Sequence, residues 1–194
     1  MKQQSKKYVI KFIVLMIVLF YLLGYLKKRY FNFIPTIPIY PNNEKEIKDV
    51  ENLVDEKNIY YINLFKKTDI SPCKAFEEII EYKCDKINNI ISKPHIIFGI
   101  FFLKILFNRA RPKQINYNLN VYESSTANTP AFPSGHCIQS IYLAKVLSLK
   151  FPEKKEQLMI LAKDIALSRV YAGLHFPSDN LFGEKIADFL FNFY

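Results

Sequence analysis

Residues 8–26, YVIKFIVLMIVLFYLLGYL, are almost continuously apolar. Lys11 alone is charged there, close enough to one end for its stem to reach a bilayer boundary, and the run is long enough to cross a membrane. After it the pattern changes to helical periodicity. Ile47, Val50, Val54, Tyr61 and Leu64 recur on one face of 44–67, with charges on the other, which predicts one amphipathic helix. Ser71-Pro72 predicts a cap and first turn for a second helix carrying Phe76, Ile79, Ile80, Ile87 and Ile90. Lys93-Pro94 opens a third, HIIFGIFFLKILFNRA, ended by the residue before a proline, Arg111. Its apolar stretch is shorter than the about 20 residues a span needs, so it predicts a buried core helix. Residues 112–133 are polar and bounded by prolines, a long loop of the kind that often carries function. Three more helices follow: one from Pro133 to the stop at Pro152, one over 153–172 with Leu158, Leu161, Ala162, Ile165 and Ala166 inward, and one from Pro177 bearing Leu181, Phe182, Ile186, Leu190 and Phe193.

No internal repeat and no alternating strand pattern occurs, so the chain reads as all-α. Its parts are an N-terminal membrane anchor (1–29), an extended linker with Pro35, Pro38 and Pro41 (30–43), and a helical domain (44–194). A cleaved signal peptide is the competing reading of the first segment, because Lys2, Lys6 and Lys7 form a basic start. No small-x-small cleavage site follows, and the run continues into Lys27, Lys28 and Arg29, which favours an uncleaved single-pass anchor. The basic residues flanking the span are balanced and leave its orientation open.

Lys and Arg exceed Asp and Glu, giving a formal net charge of +9. No nucleic-acid motif accompanies that surplus, so a membrane and anionic substrates are the expected partners. Cys73, Cys84 and Cys137 do not form a disulfide framework. On one helix Cys73 and Cys84 would lie roughly 16 Å apart, beyond bridging distance. Cys137 reads as a small helix residue.

Three stretches carry candidate chemistry. In KILFNRARP, Lys104 and Arg111 are seven apart, nearly on one helical stripe, where both could grip an anion beyond the helix end. In Pro133-Ser134-Gly135-His136, a capping serine and a glycine precede a helix N-terminus whose amides and dipole favour an anion, with an imidazole beside it. In SRVYAGLHFPSD, Arg169 offers a planar fork for phosphate oxygens, and His175 and Asp179 form a nucleophile with its orienting carboxylate.

In order and spacing these stretches resemble the signature of the type 2 phosphatidic acid phosphatase superfamily, which includes the bacterial class A acid phosphatases and the vanadium haloperoxidases. The matching positions are Lys104, Arg111, Pro112; Pro133, Ser134, Gly135, His136; and Ser168, Arg169, His175, Asp179. The resemblance implies a compact helical phosphatase-like domain with its motif-bearing core at 94–194. Lys104, Arg111 and Arg169 would neutralise a phosphoryl group, and Ser134 and the Gly135 amide would complete its cradle. His175 would be the nucleophile, Asp179 its orienter, and His136 the leaving-group acid and later base. No metal or other cofactor is implied. His95 has no role in the signature.

The expected activity is hydrolysis of a phosphate monoester through a phosphohistidine by a membrane-anchored enzyme. The substrate is a lipid phosphate, an isoprenoid diphosphate or a soluble phosphate. The lipid phosphatases of the family have several spans where this chain shows one, and its short motif spacing is closer to the compact acid phosphatases. The alternatives are a vanadate-dependent haloperoxidase, a phosphotransferase, and a non-catalytic membrane-anchored interaction module.

Overall fold

A computed structural model describes residues 2–25, 27–37 and 39–194, with the side chains of the first helix described over 8–19. The expectations for Pro38, and for the side chains of Lys2, Lys6 and Lys7, lie outside the described residues. The helices, in order, are α1 (Lys2–Tyr25), α2 (Asn43–Glu56), α3 (Ile59–Thr68), α4 (Cys73–Phe76), α5 (Cys84–Ile91), α6 (Pro94–Phe107), α7 (Pro112–Ile115), α8 (Gly135–Lys150), α9 (Lys155–Tyr171) and α10 (Pro177–Phe191). A 3-10 turn, Pro152–Lys154, precedes α9. The chain is helical as expected. Among the described residues, extended pairing is confined to an isolated bridge between Arg29 and Arg109.

The centre is α8, packed on α9 and α10, with α3 against α9 and α2 across α7 and α9. Ile138, Ile141, Leu143, Leu158, Ile165 and Ala187 are buried between these helices and the α4–α6 layer. Each large aliphatic side chain buried this way contributes about 1.5–3 kcal/mol. A second cluster joins Ile47, Val50 and Val54 of α2 to Val170 and Phe176. That cluster binds α2 to the segment that carries His175.

Three local expectations are corrected. The helix expected over 44–67 breaks at Lys57, which is left-handed (φ 51°), and α3 starts after the extended Asn58. The break lets Tyr61 leave the α2 face and stack on Tyr171, ring centroids 4.4 Å apart. The helix expected from Ser71-Pro72 is two helices, because the chain reverses over 77–83, where Glu77 accepts the Cys84 N–H. That reversal brings Cys73 and Cys84 to a Cα separation of 5.1 Å, and they form a disulfide. Finally, α6 stops at Phe107 rather than Arg111. Asn108 is left-handed (φ 44°), and its side chain is held by the backbone of Phe31 and Ile34. Lys104 and Arg111 therefore do not share a helical stripe.

Among the described residues no single helix is long and apolar enough to cross a membrane. The bent pair α5 and α6, 57° apart, passes that test only together, and Tyr8–Leu19 is a shorter apolar stretch. Tyr8–Leu19 is exposed throughout, as is the apolar outer face of α6 formed by Ile97, Phe98, Phe101 and Phe102.

Candidate active site

Four helix ends and one loop meet at a cavity of about 220 Å³. Lys104, Arg111, Gly135, His136, Arg169 and His175 line it together with Ile70, Ile97, Ile100 and Phe101. Six of the sequence-derived candidates thus share one space, although they span 71 positions in the chain, as 175 − 104.

Lys104 comes from the last turn of α6, and its buried Nζ donates to Pro130 O at 2.7 Å. Arg111 lies in the extended residues before α7. Its Nε donates to Thr129 O at 2.9 Å and its Nη1 to Leu174 O at 2.8 Å and to His175 Nε2 at 3.0 Å. These bonds tie the 112–133 loop to the His175 segment. They spend donors on neutral carbonyls and leave both positive charges without a carboxylate in those contacts.

His175 has a defined tautomer. A guanidinium can only donate, so Nε2 carries a lone pair. Asp179 Oδ2 accepts from Nδ1 at 3.0 Å, so the ring proton is on Nδ1. The same carboxylate oxygen accepts the Phe176 N–H at 2.9 Å, as a third-position acid does at the start of a helix. Pro177 opens that helix and Gly173 makes the turn that leads to it. Gly173 has φ +74°, and a Cβ there would sit 2.6 Å from Val121 Cγ1. Gly173→Ala is expected to lower stability by about 2–3 kcal/mol, read as a shift in the chemical-denaturation midpoint.

At the α8 N-terminus, Ser134 caps the helix by accepting the Cys137 N–H at 3.4 Å and is fully buried. It stands behind Gly135 rather than on the cavity wall. Gly135 and His136 follow, where the helix dipole favours an anion. His136 Nε2 lies 2.9 Å from Asp69 O; a carbonyl only accepts, so Nε2 carries the proton.

Arg169, at the end of α9, is 1% exposed. Nη1 donates to Asp69 Oδ1 at 2.7 Å, and Nη2 to Ser124 Oγ and Thr126 Oγ1, both at 3.1 Å. Its buried Nε has no partner among the described residues.

Burial and the three cations act together. Burial, then Arg111, Lys104 and Arg169, push the His175 pKa well below its ordinary value. Burial and Arg169 bring His136 down to about 3. Burial and Arg111 also lower Lys104. The site resists further positive charge, a field that favours an anion. A stability prediction follows. The unfolded chain protonates His136 near pH 6.5, whereas the folded site does so only near 3. Between those values the unfolded state binds more protons at this group, so the stability that His136 contributes is full above pH 6.5 and falls steadily as pH drops toward 3. Melting temperature against pH reads this, and added phosphate, by offsetting the cations, is expected to reduce the loss.

Sequence reasoning missed Arg109, which bonds Asp179, and Asp69, which bonds both Arg169 and His136. Arg109 lies two residues before Arg111, and that repetition was a legible hint. Asp69 has no local signal, because only the fold brings α3 to α8.

A comparison with curated proteins finds no match. Residues 91–193, more than half of the chain, match the family model of the PAP2 superfamily, and the chain belongs to that superfamily.

Proposed function

We propose that the chain is a membrane-anchored phosphatase that hydrolyses a phosphate monoester through a phosphohistidine. Membership in the PAP2 superfamily supports phosphatase-type chemistry. The observation that carries the specific mechanism is His175: Nδ1–H bonded to Asp179 and an Nε2 lone pair at a cavity walled by Lys104, Arg111 and Arg169.

The three cations stabilise the phosphoryl oxygens, and the Gly135 amide adds the α8 N-terminus. As substrate enters, the Arg111 donor now on Nε2 moves to a phosphoryl oxygen and frees the lone pair. Nε2 then attacks phosphorus, the N–P bond forms as the ester P–O bond breaks, and Asp179 balances the charge on the ring. The phosphate's own negative charge reverses the field on His136, which gains a proton and delivers it to the leaving oxygen. The neutral His136 then takes a proton from water as that water attacks the phosphohistidine, and phosphate leaves.

The exposed apolar side chains of Tyr8–Leu19 support a single-pass anchor at 1–29 ahead of a linker (30–43) and a catalytic domain (44–194). The uncharged outer face of α6 borders the cavity and supports a substrate with an apolar portion. The assay is phosphate release without added metal from a panel of lipid and soluble monoesters. Turnover lost in the His175→Ala variant is expected, and full activity in that variant would overturn the mechanism.

A further inference from the structure

The Arg109 guanidinium is completely buried and bonded at each of its three nitrogens. Nη1 donates to Asp179 Oδ1 at 2.6 Å and to Ser178 Oγ at 2.7 Å, Nη2 to Glu46 Oε2 at 2.6 Å, and Nε to Asn43 Oδ1 at 2.9 Å. The Phe176 ring covers it, with the centroid 3.9 Å away, and Tyr40 lies at 4.8 Å. Glu46 also accepts the Ser178 N–H at 3.0 Å and its hydroxyl at 2.6 Å. Glu46 and Asn43 stand in the first turn of α2, outside the residues matched by the family model.

A buried ion group of this kind is no more stabilising than well-packed apolar side chains, so stability alone does not account for it. Its contact with the nucleophile does. Asp179 is fully buried, and Arg109 holds its Oδ1 while its Oδ2 takes the His175 Nδ1–H and the Phe176 N–H. A carboxylate turned out of that position would no longer hold the His175 proton on Nδ1. Arg109 alone would cancel the Asp179 charge, whereas Glu46, Arg109 and Asp179 together carry one net negative charge, the complement of a phosphorylated, cationic His175.

We propose that Arg109 and Glu46 are positioning residues for the nucleophile: Arg109 fixes the Asp179 carboxylate with Oδ2 on the ring, so that His175 holds its proton on Nδ1 and its lone pair on Nε2, and Glu46 restores the negative charge that Arg109 would cancel. The link to turnover rests on the phosphohistidine reading above; the tautomer control does not. The groups facing His175 are Asp179 from α10, Arg111 ahead of α7, Lys104 from α6, Arg169 from α9 and His136 from α8, with Arg109 and Glu46 behind Asp179.

The test uses the full chain in detergent micelles, with imidazole 15N NMR on wild type, Glu46→Gln, Arg109→Lys and Arg109→Gln. In Glu46→Gln the His175 titration is expected to move about one pH unit downward, with kcat about tenfold lower and KM unchanged. In Arg109→Gln the Nδ1–H form is expected to lose its dominance, and Arg109→Lys is expected to restore it. Wild-type tautomer and titration in folded Glu46→Gln overturn the proposal, and that variant alone decides if Arg109→Gln does not fold. A kcat loss that follows the loss of melting temperature, with the titration unmoved, also overturns it. Failure of the phosphohistidine reading is separate: it shows as full turnover in His175→Ala, whatever the NMR result.

Discussion

Replacing His175 with alanine is expected to reduce phosphate release by at least about four orders of magnitude, since His175 Nε2 supplies the attacking lone pair. The ring is held on both sides, by Arg111 at Nε2 and Asp179 at Nδ1, so no rotamer search precedes attack. The cation cradle remains in this variant. Inorganic phosphate, held by that cradle without a bond to Nε2, is therefore expected to bind within about tenfold of wild type while turnover is lost. Calorimetry for phosphate binding and product release from the ester substrate for turnover separate the two effects. Parallel loss of both would mean that His175 acts through folding or binding rather than as nucleophile.

The second large effect is expected at Arg111. It supplies positive charge to the cavity, ties Thr129 and Leu174 together, and points a donor at His175 Nε2. Arg111→Ala removes all three and is expected to lower kcat/KM by about 10³-fold, with phosphate affinity falling alongside it. Arg111→Lys keeps the charge but not the planar fork. It is expected to recover no more than about a tenth of the lost activity, because one ammonium cannot span Thr129 O, Leu174 O and the phosphoryl oxygen at once. Full recovery with lysine would reduce the role of Arg111 to charge alone. The contrast with His175→Ala is direct: one variant loses chemistry with binding kept, and the other loses both.

How far the sequence reveals such a site depends on the range of the contacts that build it. The apolar periodicities of α8, α9 and α10 are local, so those helices and their proline boundaries were legible. Lys104, Arg111, Gly135, His136, Arg169 and His175 were legible as a set through their spacing, and they do share one cavity. The breaks were not legible. Lys57 adopts a left-handed conformation that its residue type does not announce, and 77–83 reverses without a glycine or proline. The Cys73–Cys84 disulfide depends on that reversal, so a distance along an assumed helix excluded it wrongly. Asn108 ends α6 because the backbone of Phe31 and Ile34 is there to receive its side chain, a contact across more than seventy residues. Glu46 reads in sequence as one more charge on the polar face of an amphipathic helix. Its role emerges only when α2 docks through Ile47, Val50 and Val54 beside Phe176. Gly173 is intermediate: a glycine two residues before His175 hints at a turn, but the contact with Val121 that forbids a side chain has no local signal.

Covalent phosphorylation of His175 Nε2 is the step on which the proposed mechanism turns. Its most direct test is rapid quench of the wild-type chain with a labelled phosphate monoester, without added metal, followed by mapping of the label. The expected result is an acid-labile, base-stable phosphoryl group on His175 that forms and decays at rates matching turnover and is absent from His175→Ala. Turnover with no label on His175 at any time, or label on another residue at the rate of turnover, would contradict it.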